Sequence, residues 1–194
     1  MHRLRISSLV LASSCLMAPV AMATTVAEMP LRDMVSMAPS IVVGTVESSS
    51  SRWNEDRSLI VTDVRIQVTD VIKGQNIGQI VITQPGGRVG KVRVDVDGAV
   101  AYRPGQETVL FLAPDARGHQ QVLGVFRGRF DVSTDTHTGK KSVRGLKGAD
   151  VDAMTGASKP GGQIEGNAPP ERTMDLDSFV SGLKGMVQNP KGGK

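Results

Sequence analysis

The chain has 194 residues, 39% of them hydrophobic and 22% charged, a formal net charge of +4 and only 3% aromatic residues. That size suits one domain with extensions and is enough to bury a core. So few aromatics leave little surface for stacking bases or sugars, and a single cysteine, Cys15, excludes a scaffold stapled by internal disulfides.

Residues 1–23 read MHRLRISSLVLASSCLMAPVAMA, with Arg3 and Arg5 ahead of an apolar run, Ile6 to Val20, that ends in Ala21-Met22-Ala23. This is the layout of a secretory signal peptide with an A-x-A cleavage site, so the folded protein is expected to start at Thr24 and to be periplasmic or secreted. The run is diluted by Ser7, Ser8, Ser13 and Ser14, and it is shorter than the roughly 20 apolar residues of a spanning helix. No membrane span is predicted. A competing reading takes Ala12-Ser13-Ser14-Cys15 as a lipoprotein leader with a lipid anchor at Cys15, but Ala12 stands where such leaders usually carry Leu. Cleavage after Ala23 removes the only thiol and half of the net positive charge, so no nucleic-acid partner is expected and the protein is predicted to be a monomer.

Pro30 to Ala38 predicts a short helix, with Leu31, Met34, Val35 and Ala38 on one face and Pro39 as its stop. Ile41 to Val46 is a β-branched run that predicts a strand buried on both faces. Ser48 to Asn54 reads as a polar edge or loop, and Glu55-Asp56 as a turn. Ser58 to Ile72 alternates: Ile60, Val64, Ile66, Val68 and Ile72 share one side, and Asp63, Arg65, Gln67 and Thr69 the other. After a turn at Lys73 to Asn76, Gly78 to Gln84 predicts a third strand, ended by Pro85-Gly86-Gly87. Lys91 to Asp97 alternates throughout and predicts a half-buried strand with Val92, Val94 and Val96 inward. Glu107 to Leu112 predicts a buried strand closed by Pro114-Asp115. Gln120 to Val132 holds one or two more, and Lys141 to Val143 a short one. Residues 30–144 thus form the predicted β-barrel domain. The Gly-, Pro- and Ser-rich stretch 145–172 predicts a flexible linker. Residues 173–188 predict a C-terminal helix, with Asp175 as its cap and Leu176, Phe179, Val180, Leu183 and Val187 on one face. Gly182 and Gly185 weaken it by about 1 kcal/mol each relative to Ala, so it should form only when docked. Residues 189–194 read as a tail.

Short strands with short turns and no βαβ spacing predict a mainly β fold. The long strand at Ser58–Ile72 favours a small antiparallel OB-fold-like barrel over an immunoglobulin-like sandwich, because one bent strand must serve both sides of such a barrel. The stretches Ser40–Val46, Val68–Gly74, Gln84–Gly87 and Arg103–Glu107, followed by Val109–Leu112, resemble a group of uncharacterised exported bacterial β-barrel proteins over roughly Leu31 to Val132. The layout is also distantly similar to netrin-like OB-fold modules of metalloprotease inhibitors. Those modules use an N-terminal Cys and disulfides, which this chain lacks beyond Cys15. The resemblance implies a fold and an exported location.

Candidate sites are few. Gln84-Pro85-Gly86-Gly87-Arg88-Val89-Gly90 is glycine-rich after a strand, but a phosphate cradle needs a helix next, and a strand pattern follows; a hairpin or barrel corner is expected. Asp95-Val96-Asp97-Gly98 starts like a calcium loop without its later ligands. Asp131, Asp135 and His137 offer metal-ligand chemistry from one strand or loop, and His119 is the other histidine outside the leader. Arg88, Arg93, Arg103, Arg127 and Arg129 are candidates for a basic patch. The chain has no Gly-x-Ser-x-Gly elbow. The reading favoured by these residues is an exported non-enzymatic binding or structural module, with no catalytic, cofactor or metal site assigned. The alternatives are a metal-binding protein or metal-assisted hydrolase using Asp131, Asp135 and His137 or Asp95 and Asp97, and a protease-inhibitor-like barrel.

Overall fold

The computed structural model describes residues 29–96, 99, 101–124, 127–146 and 172–190. The predicted leader, Cys15, Asp97 and most of the predicted linker lie outside them.

Helix α1 (Leu31–Met37) starts at Pro30 and buries Leu31, Met34 and Val35, the face its spacing predicted. Lys73 reaches its far end and donates through Nζ to the carbonyls of Val35 (2.7 Å) and Ser36 (3.3 Å), a favourable place for a cation at a helix C-terminus. Strand β1 (Ser40–Trp53) then pairs antiparallel with β2 (Ile60–Lys73) over its whole length. The stretch after Ser48 is therefore strand, where the sequence predicted an edge or loop. On one face Gly87 lies against Ser51 and Thr62, and cross-strand bonds such as Ser51 to Thr62 (2.9 Å) hold the stretch in register. Bulges at Ile41/Val42, Val43/Gly44 and Val46/Ser48 bend β1.

β3 (Gln79–Pro85) follows on β2. β4 (Gly87–Val89) and β5 (Val92–Val94) make a separate two-stranded ribbon. β6 (Glu107–Pro114) and β7 (Gln120–Val122) form a hairpin. A closed five-stranded barrel runs β1-β2-β3-β7-β6, and β6 returns to β1 from Ser40↔Leu112 to Thr45↔Glu107. Every pairing among the described strands is antiparallel except β3–β7, which meets in parallel at Ile82↔Gln120. Beyond the barrel, β6 carries β8 (Arg129–Thr134), β9 (Lys141–Leu146) and β10 (Arg172–Asp175), and helix α2 (Leu176–Gln188) closes the chain.

Two boundaries differ from expectation. Gly145, Leu146 and Arg172 belong to paired strands rather than to a linker, and residues 173–175 are β10, so the C-terminal helix starts at Leu176. Met174 pairs with Val143 across β9–β10, an apolar contact too short to show as periodicity. The expected half-buried strand at Lys91–Asp97 is also corrected. Only Val92–Val94 is paired, and Val92 is 46% exposed: the ribbon meets β1 and β2 through β4, where Gly87 lies against Ser51 and Thr62, and leaves Val92 of β5 in solvent.

The interior is two clusters that share strands. Val42, Val46, Val64, Ile66, Ile82, Leu110 and Leu112 fill the barrel with Tyr102 and Val122. On the other side of β1 and β6, Ile41, Val43, Val109 and Phe111 pack against α1, α2, Phe130 and Val143. Alternation along two strands buried on both faces thus feeds both clusters. Phe130 links the second one, with ring centroids 5.6 Å from Phe111 and 5.4 Å from Phe179.

Candidate functional site

One end of the barrel gathers the end of β1, the start of β2, the end of β3 and the β6–β7 turn. Between them lies a cleft of about 420 Å³. Its apolar floor is Leu59, Val61, Ile82, Pro85 and Val122. Mouths of β-barrels are a preferred place for ligand pockets, and this volume falls in the range such pockets occupy.

Two turns wall the cleft. In the β1–β2 turn Asn54 bonds across it: its Oδ1 accepts from the Leu59 amide (3.0 Å) and its Nδ2 donates to Ser58 Oγ (3.1 Å). Asp56 Oδ1 accepts from the Ser58 amide (3.1 Å) and hydroxyl (2.6 Å). Those bonds hold the Asp56 carboxyl below its ordinary pKa, and the nearby charge of Arg117 from the opposite turn adds to the effect. Arg52 beside the turn is committed to Asp63 (Nε to Oδ2, 2.5 Å), which also accepts from Thr83 Oγ1 (2.8 Å).

Asp115 organises the β6–β7 turn. Its Oδ1 accepts from the amides of Arg117 and His119, both at 2.8 Å. Its Oδ2 faces His119 Nδ1 (3.2 Å) and Gln121 Nε2 (3.3 Å). Burial raises this carboxyl's pKa, but the bonds from His119 and Arg117 outweigh it, and the net shift is downward. Sequence reasoning placed a turn here but did not single out Asp115. The available signal was an Asp two residues before Arg117-Gly118 and four before His119, the pattern of an Asx turn.

The residues singled out from sequence are dispersed. Asp131 receives Arg129 Nε (2.7 Å). Asp135 caps its own turn by accepting from the amides of His137 (2.8 Å) and Thr138 (3.0 Å), which lowers its pKa. The His137 side chain is 94% exposed, 3.9 Å from Asp135. Asp95 pairs with Arg93 at 2.7 Å. Among the described residues no three His, Cys, Asp or Glu side chains group as metal ligands. His119 alone of these candidates lines the cleft.

Of the five arginines named as a possible basic patch, Arg129 is interior. Its side chain is 4% exposed, and its guanidinium lies 4.2 Å from the Tyr102 ring centroid and donates to the Ala101 carbonyl at 3.2 Å. Burial raises the Tyr102 phenol pKa, opposed by that same cation. Arg88 donates to the Gly90 carbonyl (3.2 Å) within the ribbon. The glycine-rich stretch itself is the predicted hairpin, entered with Gly86 and Gly87 at positive φ and turned at Gly90. Among the described residues no helix is long and apolar enough to cross a membrane.

Comparison with protein-family models, curated proteins and solved structures found no match to this chain.

Proposed function

We propose that this chain is an exported, non-enzymatic binding module whose ligand seats in the cleft at the barrel end. The observation that carries the reading is the cleft itself: an apolar floor beneath two turns whose polar groups are tied to one another before any ligand arrives. The leader pattern supports export. The His119–Asp115 pair is two parts of a nucleophilic triad, yet among the described residues no hydroxyl bonds the imidazole. Binding therefore fits the wall better than covalent catalysis.

An amide-resolved NMR screen of small amphiphilic molecules tests this. Shifts are expected to cluster at 54–61 and 115–122, and a Val61→Glu variant, which places a charge on the floor, should lose them. Shifts scattered over the surface, or centred on α2 or the β4–β5 ribbon, would defeat the reading.

A further inference from the structure

The charged and polar groups around the cleft are engaged with one another, and that bears on the charge of what can bind there. Arg52 is held by Asp63, which also accepts from the Thr83 hydroxyl. Both side-chain groups of Asn54 bond within their own turn. Asp115 accepts from two turn amides and faces His119 Nδ1 and Gln121 Nε2. Formal charge on the lining balances: Arg52 and Arg117 stand against Glu55 and Asp115. Glu55 lies in the field of Arg52, and Arg117 in that of Asp56. The floor of Leu59, Val61, Ile82, Pro85 and Val122 offers apolar surface, whose removal from water is favourable with no polar partner required. An ionic group brought onto that floor would shed water and meet only charges that already face an opposite one, at a net cost.

From this balance we propose that the cleft selects a compact, uncharged, apolar molecule. Its body covers the floor, and a single hydroxyl or carbonyl turned to the rim keeps its contact with water. The proposal rests on the cleft being the binding site.

Calorimetric and amide-resolved NMR titration at neutral pH and low salt, with three probes that share one hydrocarbon cage, separates the two claims. The probes are 1-adamantanol, 1-adamantylammonium and 1-adamantanecarboxylate. The alcohol is expected to shift the amides of 54–61 and 115–122 and to bind about tenfold tighter than either ion. Asp63→Asn, a change outside the lining, removes the counter-charge of Arg52; it should bring the carboxylate to within about twofold of the alcohol and leave the alcohol unchanged. If either ion matches the alcohol on the unaltered protein while shifts still map to the cleft, the cleft reading stands and selection for an uncharged ligand falls. If Asp63→Asn leaves the carboxylate as weak as before, committed charges do not set the selectivity, and the proposal falls in the same way. If none of the three probes shifts the cleft amides, both fall.

Discussion

At single residues the backbone's demands are local and sharp. Gly87 has φ +133°, and a Cβ there would press on the hydroxyls of Ser51 and Thr62. Gly44 lies at a bulge of β1, where a Cβ would stand 2.5 Å from Ile66 Cγ2 and 2.7 Å from the Gln67 carbonyl. Gly87→Ala and Gly44→Ala should each cost about 1–3 kcal/mol in urea melts, the first from backbone strain and crowding, the second from overpacking. An unchanged midpoint for either would mean the β1–β2 ribbon relaxes freely. Asp56, Asp115 and Asp135 all have carboxyl pKa values below the ordinary range. A group lowered by folding adds stability that is complete above its unfolded value of about 3.9 and is lost as pH falls through the lower folded value. Stability should therefore be insensitive to these three near neutrality and decline below about pH 4. Asp115→Asn should flatten that decline and speed hydrogen exchange at the Arg117 and His119 amides; unaltered exchange would show that the turn does not depend on its carboxylate. Such turn residues were only half visible in the sequence. Glu55-Asp56 and Pro114-Asp115 announce turns, but nothing in their spacing says that two turns 60 residues apart enclose one cleft.

Elements were readable where local pattern and burial agree. Helix α1 buries the face its periodicity named. β2 alternates as written through Val64, Ile66 and Val68, which face the barrel, but a register shift near its end puts Val71 on the barrel side and turns Ile72 to the helical cluster. The expectation failed at Lys91–Asp97, where the alternation is real but only Val92–Val94 is paired and Val92 stays in solvent, and at β10, where four residues are too few to show a period. Helix α2 shows how propensity yields to packing. Its two internal glycines disfavour it, yet Leu176, Phe179, Leu183 and Met186 are buried and Asp175 caps it by accepting from the Ser178 amide at 3.0 Å. Asp175→Ala should cost about 1 kcal/mol, the worth of a lost N-cap. Phe179→Ala, which empties a fully buried site beside Phe130, should cost about 3–5 kcal/mol. If Phe179→Ala proves no worse than Asp175→Ala, α2 is not held by that aromatic contact.

Over the whole molecule the question is whether barrel and helical layer unfold together. Two clusters could melt separately if they met only through a loop, but here they share β1 and β6. Val42 faces the barrel while Ile41 and Val43 face the helices; Leu110 and Leu112 oppose Val109 and Phe111 in the same way. No residue of these runs can leave one cluster without dragging the backbone that supplies the other, and six consecutive β1–β6 pairings tie the two strands. Lys184 on α2 adds an ion pair to Asp70 on β2 at 2.9 Å, though both groups are near half exposed and the pair contributes little. One cooperative transition follows. Val42→Ala and Val43→Ala empty opposite clusters, yet both should lower the same single midpoint, by a similar amount whether followed by far-ultraviolet dichroism, which reports the strands, or by Trp53 fluorescence at the end of β1. If Val43→Ala instead splits the curve, with helical signal lost first and the barrel surviving, the shared strands do not couple the two layers, and the cleft at the far barrel end would be independent of the C-terminal helix.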